Sequence, residues 1–232
     1  MHFSHHPALR AQYPELAAGA LCARGLRKDV PAEAAIVRHE AVARARLDAA
    51  GSESELAEIQ AWRRAFSRMG LKPTQYRCAS ESLLRRFKKE GALPRIHPLI
   101  DLCNAISMAF AIPVAVLDLA HIQGDLQVRH AEGHERYLTF GGEVEHPEPG
   151  EVSFVDAQGN AHARRWTNRQ SGLSAVRDDT AEVLIVAEAM HAGGAADVAR
   201  LMAAVAEGLK EVWGVDARSQ LLTQAEPGFE VA

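Results

Sequence analysis

The side chains able to do chemistry sit at the edges of apolar segments. Asn104 interrupts "PLIDLCNAISMAFAIPVAVLD", and Glu188 stands next to last in "AEVLIVAEA". Gly133 and Glu135 fall in "VRHAEGHE", while Trp166, Thr167, Asn168, Gln170 and Ser171 follow one another in "RRWTNRQS". An amide buried without a partner costs about 1–3 kcal/mol, so each polar group expects a protein atom, a water or a ligand beside it. Taken singly, Asn104 reads as a satisfied structural amide, Glu188 as a strand-end carboxylate reaching solvent and Trp166 as core. Taken together they would line one cavity, which spacing alone does not decide.

Other chemistries find little support. Of the eleven histidines, His130 and His134 stand four apart, a spacing that shares a face only on a helix. Their segment reads as strand, turn, strand, and no H-E-x-x-H occurs, so no metal site and no cofactor are expected. Neither G-x-S-x-G nor G-x-x-x-x-G-K-[ST] is present. Cys22, Cys78 and Cys103 form no C-x-x-C, which suits a reducing, cytoplasmic setting. Cys103 reads as a small core residue. "MHFSHHPALR" lacks the apolar stretch of a secretory signal, and no run is long enough to span a membrane.

Charge is uneven. Between Ala61 and Arg95 ten Lys/Arg oppose only Glu81 and Glu90, whereas the whole chain carries −4. Arg77, Arg85, Arg86, Lys88 and Lys89 are therefore candidates for meeting a polyanion. The competing reading is a solvated helix face whose counter-charges lie elsewhere in the fold.

These residues need elements to hold them. "LAAGALCARGL" (16–26) suits a strand, and the alanine- and arginine-rich stretch after Pro31 a helix ended by Gly51. A second helix runs to about Met69, and a third, preceded by Ser80, ends at Gly91. Pro98 opens a helix to Phe110, and Pro113 must end it. Short alternating strands follow at 126–131, 136–140 and 151–156, with a turn at "DAQGNA". Residues 181–189 make a fully buried strand, and a helix capped by Asp197 runs to Gly214. With no internal repeat or linker, the expectation is a single α+β domain, 1–232, of packed helices on a mixed, mainly antiparallel sheet.

The order of segments resembles the editing (B3/B4) domain of the bacterial phenylalanyl-tRNA synthetase beta subunit, in freestanding form. "LCNAIS", "AIPVAVLD", "VRHAEGHE", "PGEVSFVDAQGN", "RRWTNRQS" and "DDTAEVLIVAE" carry the resemblance, which is strongest over 66–191. Residues 1–60 would then be a helical extension packed on the domain. The resemblance implies an aminoacyl-tRNA deacylase acting in trans on a mischarged tRNA. Asn104 and Glu188 would do the catalytic work, Cys103, Gly133, Glu135, Trp166, Thr167, Asn168 and Gln170 would bind substrate, and the basic segment would meet the acceptor end. The implied partners are aminoacyl-tRNA and its amino-acid moiety, with neither DNA nor a membrane. Three departures stand out: Ala115 occupies the position of the synthetase motif's histidine, Cys103 that of the threonine before the asparagine, and Trp166 and Asn168 replace small residues. Alternatives are a non-catalytic module that binds an amino acid or small metabolite, and a tRNA- or synthetase-binding accessory protein.

Overall fold

The computed structural model describes residues 1–231. In chain order its elements are β1 (His2–His5), α1 (Pro7–Gln12), β2 (Ala17–Arg24), α2 (Glu33–Ala50), α3 (Ala57–Arg68), α4 (Ala79–Glu90) and α5 (Pro98–Phe110). Then come β3 (Val114–Asp118), β4 (Leu126–His130), β5 (Tyr137–Leu138), β6 (Val144–Glu145), β7 (Val152–Asp156), β8 (Ala161–Arg164), β9 (Arg169–Gln170) and β10 (Glu182–Ala189). The remainder is α6 (Gly194–Trp213), β11 (Arg218–Leu222) and β12 (Gly228–Glu230). The α+β expectation holds.

Two main sheets share the work. One has the order β12-β1-β4-β7-β8-β9, antiparallel except for the parallel β1–β4 pair, and the other has the order β11-β2-β10-β3, all antiparallel. Strand β10 is central to the second sheet and buried on both faces, the reason its apolar run is continuous. Because side chains alternate across a strand, Val183, Ile185, Ala187 and Ala189 join one core with α2, α5 and α6. Leu184 and Val186 face the other core, which lies between the two sheets and is closed by α3 and α4. Glu188 continues this second row.

Local signals explain most boundaries. Pro98 sits in the first turn of α5, the preceding His97 accepts from the Leu99 amide at 3.2 Å, and Asp101 accepts from the Ile96 amide at 3.0 Å. The helix stops where Ala111 turns left-handed at φ 55°. Helix α6 lies so close to β2 that a Cβ on Gly19 would come within 2.9 Å of Met202 Cγ. Its cap is Gly193 and not Asp197, which instead bonds His191 at 2.7 Å.

The first sixty residues are not a helical extension. Strand β2 pairs with both β10 and β11, and β1 joins β4 to β12, so both sheets are incomplete without them. "HFSH" has no apolar alternation to announce a strand, and only long-range pairing makes it one.

Candidate functional site

A cavity of about 60 Å³ opens between the two sheets. Its apolar walls are Pro113, Val114, Ala115 and Val186 from one sheet and Phe154 and Ala163 from the other. Trp166, Thr167, Asn168, Gln170 and Glu188 complete the lining, together with Ala79 at the start of α4 and Arg169. Five of the residues expected to act thus share one cavity.

Glu188 is its chemical centre. The carboxylate is 2% exposed, and one oxygen, Oε1, takes two donors: Trp166 Nε1–H at 2.9 Å and His5 Nε2 at 2.7 Å. On the far side of the ring, Nδ1 lies 3.4 Å from Arg10 Nη2. A guanidinium has only donors, so Nδ1 accepts and the neutral ring carries its proton on Nε2, pointing at Glu188. The second carboxylate oxygen has no hydrogen-bond partner among the described residues. Burial lowers the Arg10 pKa, an effect partly offset by the charge of Glu188. The backbone is held too: Trp62 Nε1 donates to the Glu188 carbonyl at 3.2 Å, and the Trp62 ring stands edge-on to Trp166 at 5.2 Å.

The floor is a strained turn. Arg165 and Trp166 both have positive φ, 48° and 57°, a state costing of order 1–3 kcal/mol for residues with side chains. Glu151 holds it, taking the Arg165 amide at 3.0 Å and the Arg164 guanidinium at 2.8 Å. The Thr167 carbonyl accepts from the Ala79 amide at 2.8 Å, and Asn168 Nδ2 donates to the Arg77 carbonyl at 2.7 Å, which ties the turn to α4. Gln170 Nε2 donates to the Val116 carbonyl at 2.7 Å. The Thr167 hydroxyl is buried without a partner among the described residues.

Four other expected residues lie elsewhere. Cys103 belongs to the core on the opposite face of the four-stranded sheet, and burial pushes its thiol up to about 12. Asn104 is half-buried on α5, is not part of the cavity lining and makes no hydrogen bond to the described residues. Its neighbours in the helix turn it away because α5 packs on the far face of β10 and β3. Glu135 is buried in the β4–β5 loop, where it accepts from the Glu132 and Gly133 amides at 2.9 Å and pairs with Arg129 at 2.8 Å. Burial pushes its pKa up, but these partners win and hold it below the usual carboxylate value. Gly133 (φ 97°) lets the chain pass Pro149, whose Cγ would be 2.8 Å from an added Cβ. The "VRHAEGHE" motif is thus a self-closing turn.

Two further clusters resemble chemistry. Ser174, His162 and Asp156 are linked at 2.8 and 3.2 Å, but Ser174 and His162 are fully buried and Nε2 faces the aspartate, the reverse of a hydrolytic triad. Glu58, His191 and Asp197 approach within 4.8 Å of one another, yet Arg46 and Arg200 already pair with the two carboxylates.

The basic segment is half neutralised. Arg77 pairs with Glu81 at 3.3 Å, Arg86 with Glu90 at 2.9 Å, and Arg85 lies 3.8 Å from Glu53. Lys88 donates to the Gly51 carbonyl at 2.6 Å, and exposed Lys89 has no acidic partner among the described residues.

The domain thus has two sheets with a carboxylate set in an apolar cavity between them. Residues 61–204 match the B3/4 domain model, and the chain belongs to that family. Over 116 residues, 50% of this chain, it is 29% identical to the phenylalanine–tRNA ligase beta subunit of Shewanella oneidensis, and the match covers 14% of that protein. The fold is similar to an N-terminal fragment of the phenylalanyl-tRNA synthetase beta subunit from Pyrococcus horikoshii, with a TM-score of 0.50 and 11% identity, covering 96% of this chain and 54% of that one. Among the described residues no helix is long and apolar enough to cross a membrane. His5 was hidden from sequence reasoning, since nothing local distinguishes it from His6 beside it.

Proposed function

We propose that this protein is a cytoplasmic aminoacyl-tRNA deacylase acting in trans. The observation that carries the reading is Glu188: a buried carboxylate clamped by His5 and Trp166, with its other oxygen free, in an apolar cavity of a B3/4 domain. A buried charge needs compensation, and the α-ammonium of an aminoacyl group or a polarised water supplies it.

An aminoacyl ester is already activated, so hydrolysis needs a placed water, exclusion of bulk solvent and donors for the developing oxyanion. Water oxygen bonds to the carbonyl carbon, the bond to the ribose oxygen breaks, and the water proton passes to that oxygen. Free amino acid and tRNA leave. Glu188 anchors the ammonium or orients the water, and Trp166, Thr167, Asn168 and Gln170 shape the pocket. With Ala115 at the motif's histidine position, in the cavity wall, the terminal ribose hydroxyl of the tRNA orients the water in place of a side chain. Arg85, Arg86, Lys88 and Lys89 follow Ala79 along α4, at about 1.5 Å per residue from the cavity. They would meet phosphates of the acceptor end.

The test is deacylation across a panel of mischarged tRNAs, with Glu188→Gln beside the wild type. Release above background that falls about 10²–10⁴-fold in the variant supports the reading; background rates throughout reject it. The same Ala115 favours a second reading, a non-catalytic amino-acid binder. Thermal stabilisation by amino acids with no turnover would select it.

A further inference from the structure

We infer that the cavity accepts only a small, uncharged amino-acid side chain, of glycine, alanine or serine size, and that Trp166 sets this limit. The inference deepens the hydrolase reading and rests on the same site. A closed apolar cavity that takes a benzene ring measures about 150 Å³, whereas this one measures about 60 Å³. A phenyl or phenol group therefore does not fit wholly within it unless a wall retreats.

Trp166 is the wall least free to move. Its side chain is fully buried, edge-on to Tyr13 at 4.9 Å and to Trp62 at 5.2 Å, and its indole N–H is spent on Glu188. Its backbone amide donates to the Val152 carbonyl at 2.7 Å, and the left-handed turn beneath is fastened by Glu151. Swinging the indole out breaks its contacts with Tyr13 and Trp62 and strands a buried carboxylate with one donor. Ala115 and Ala163, also in the lining, present only methyl groups.

Chemistry narrows the choice further. Glu188 repels an acidic side chain, and Arg169, which could have balanced one, is paired with Glu145 at 3.2 Å. The partnerless Thr167 hydroxyl lies in the wall and offers a serine-type hydroxyl a hydrogen bond. A long basic side chain exceeds the volume.

The test uses non-hydrolysable 3′-aminoacylamino analogues of adenosine, titrated calorimetrically against the intact protein. Glycyl, alanyl and seryl forms should bind at least tenfold more tightly than phenylalanyl and tyrosyl forms. Trp166→Ala should raise tyrosyl affinity by tenfold or more, and Trp166→Phe, which keeps an aromatic wall, should preserve the order. Should Trp166→Ala fail to fold, Ala163→Leu fills the cavity from another lining residue and should abolish seryl binding. Equal or tighter tyrosyl binding by the wild type overturns the inference, as does absence of binding by every analogue. Size-ordered binding without ester hydrolysis sinks the hydrolase reading alone, whereas hydrolysis of tyrosyl-tRNA with no preference for small groups sinks the size limit alone.

Discussion

His5 Nε2 meets Glu188 Oε1 at 2.7 Å across 183 residues of chain, with both side chains buried. The contact joins the two sheets: His5 ends β1 in one, and Glu188 lies near the end of β10 in the other.

Breaking this contact should destabilise the protein. Hydrogen bonds to charged groups contribute about 1.5–3 kcal/mol, so His5→Phe is expected to lower the unfolding free energy by that amount. Because the two groups act as a pair, His5→Phe and Glu188→Leu should be non-additive by about 0.5–3 kcal/mol. Urea denaturation of both single variants and the double variant measures the coupling. Strict additivity would refute the pairing.

Asp156 gives a pH-dependent prediction. Burial raises its pKa, but His162, the Asn160 side chain and amide, and the Gln123 amide together depress it far below the ordinary aspartate value. A depressed folded pKa contributes stability above the unfolded value, near about 3.9, and loses it as pH falls through the folded one. Asp156→Asn should therefore be clearly less stable than wild type at pH 7, with the gap closing in strong acid. A gap that is constant or widens between pH 6 and pH 3 contradicts this assignment.

The basic segment should reveal itself through salt. If Lys88 and Lys89 each neutralise a phosphate of a single-stranded acceptor end, replacing both by alanine lowers the slope of log affinity against log salt by about 1.4. Arg77, already paired with Glu81, should matter less. Fluorescence-anisotropy titrations at several salt concentrations settle the matter, and a slope unchanged in the double variant removes the interface.

Gly133→Ala combines two penalties: a left-handed φ of 97° and a Cβ 2.8 Å from Pro149 Cγ. The expected loss is about 1–3 kcal/mol with little change in ligand affinity, because the turn lies outside the cavity. Calorimetric melting tests the first part and analogue titration the second.

The elements readable from sequence are those whose signals are local. Pro98 and Pro113 bracket α5, an unbroken apolar run marks β10, and a helical stripe from Val198 to Leu209 marks α6. Half of the candidate site was equally legible, since "RRWTNRQS" and the glutamate near the end of β10 sit where apolar texture breaks. What stayed hidden depends on contacts distant in sequence. His5 acquires meaning only when β1 slots between β4 and β12. The double left-handed turn at Arg165 and Trp166 contains no glycine to announce it. Asn104 misled for the opposite reason: one polar residue in an apolar helix marks a half-buried flank as readily as a pocket, and here it is the former.

The two indoles that grip Glu188 have an optical consequence. Trp62 holds its carbonyl and Trp166 its carboxylate, while the third indole, Trp213, bonds the Arg27 carbonyl in the other core. Any guest that reorients or neutralises that carboxylate changes the electric field across two chromophores at once and leaves the third as an internal reference. The protein's own ultraviolet emission is thereby a gauge of whether the cavity is full, without a label and in real time.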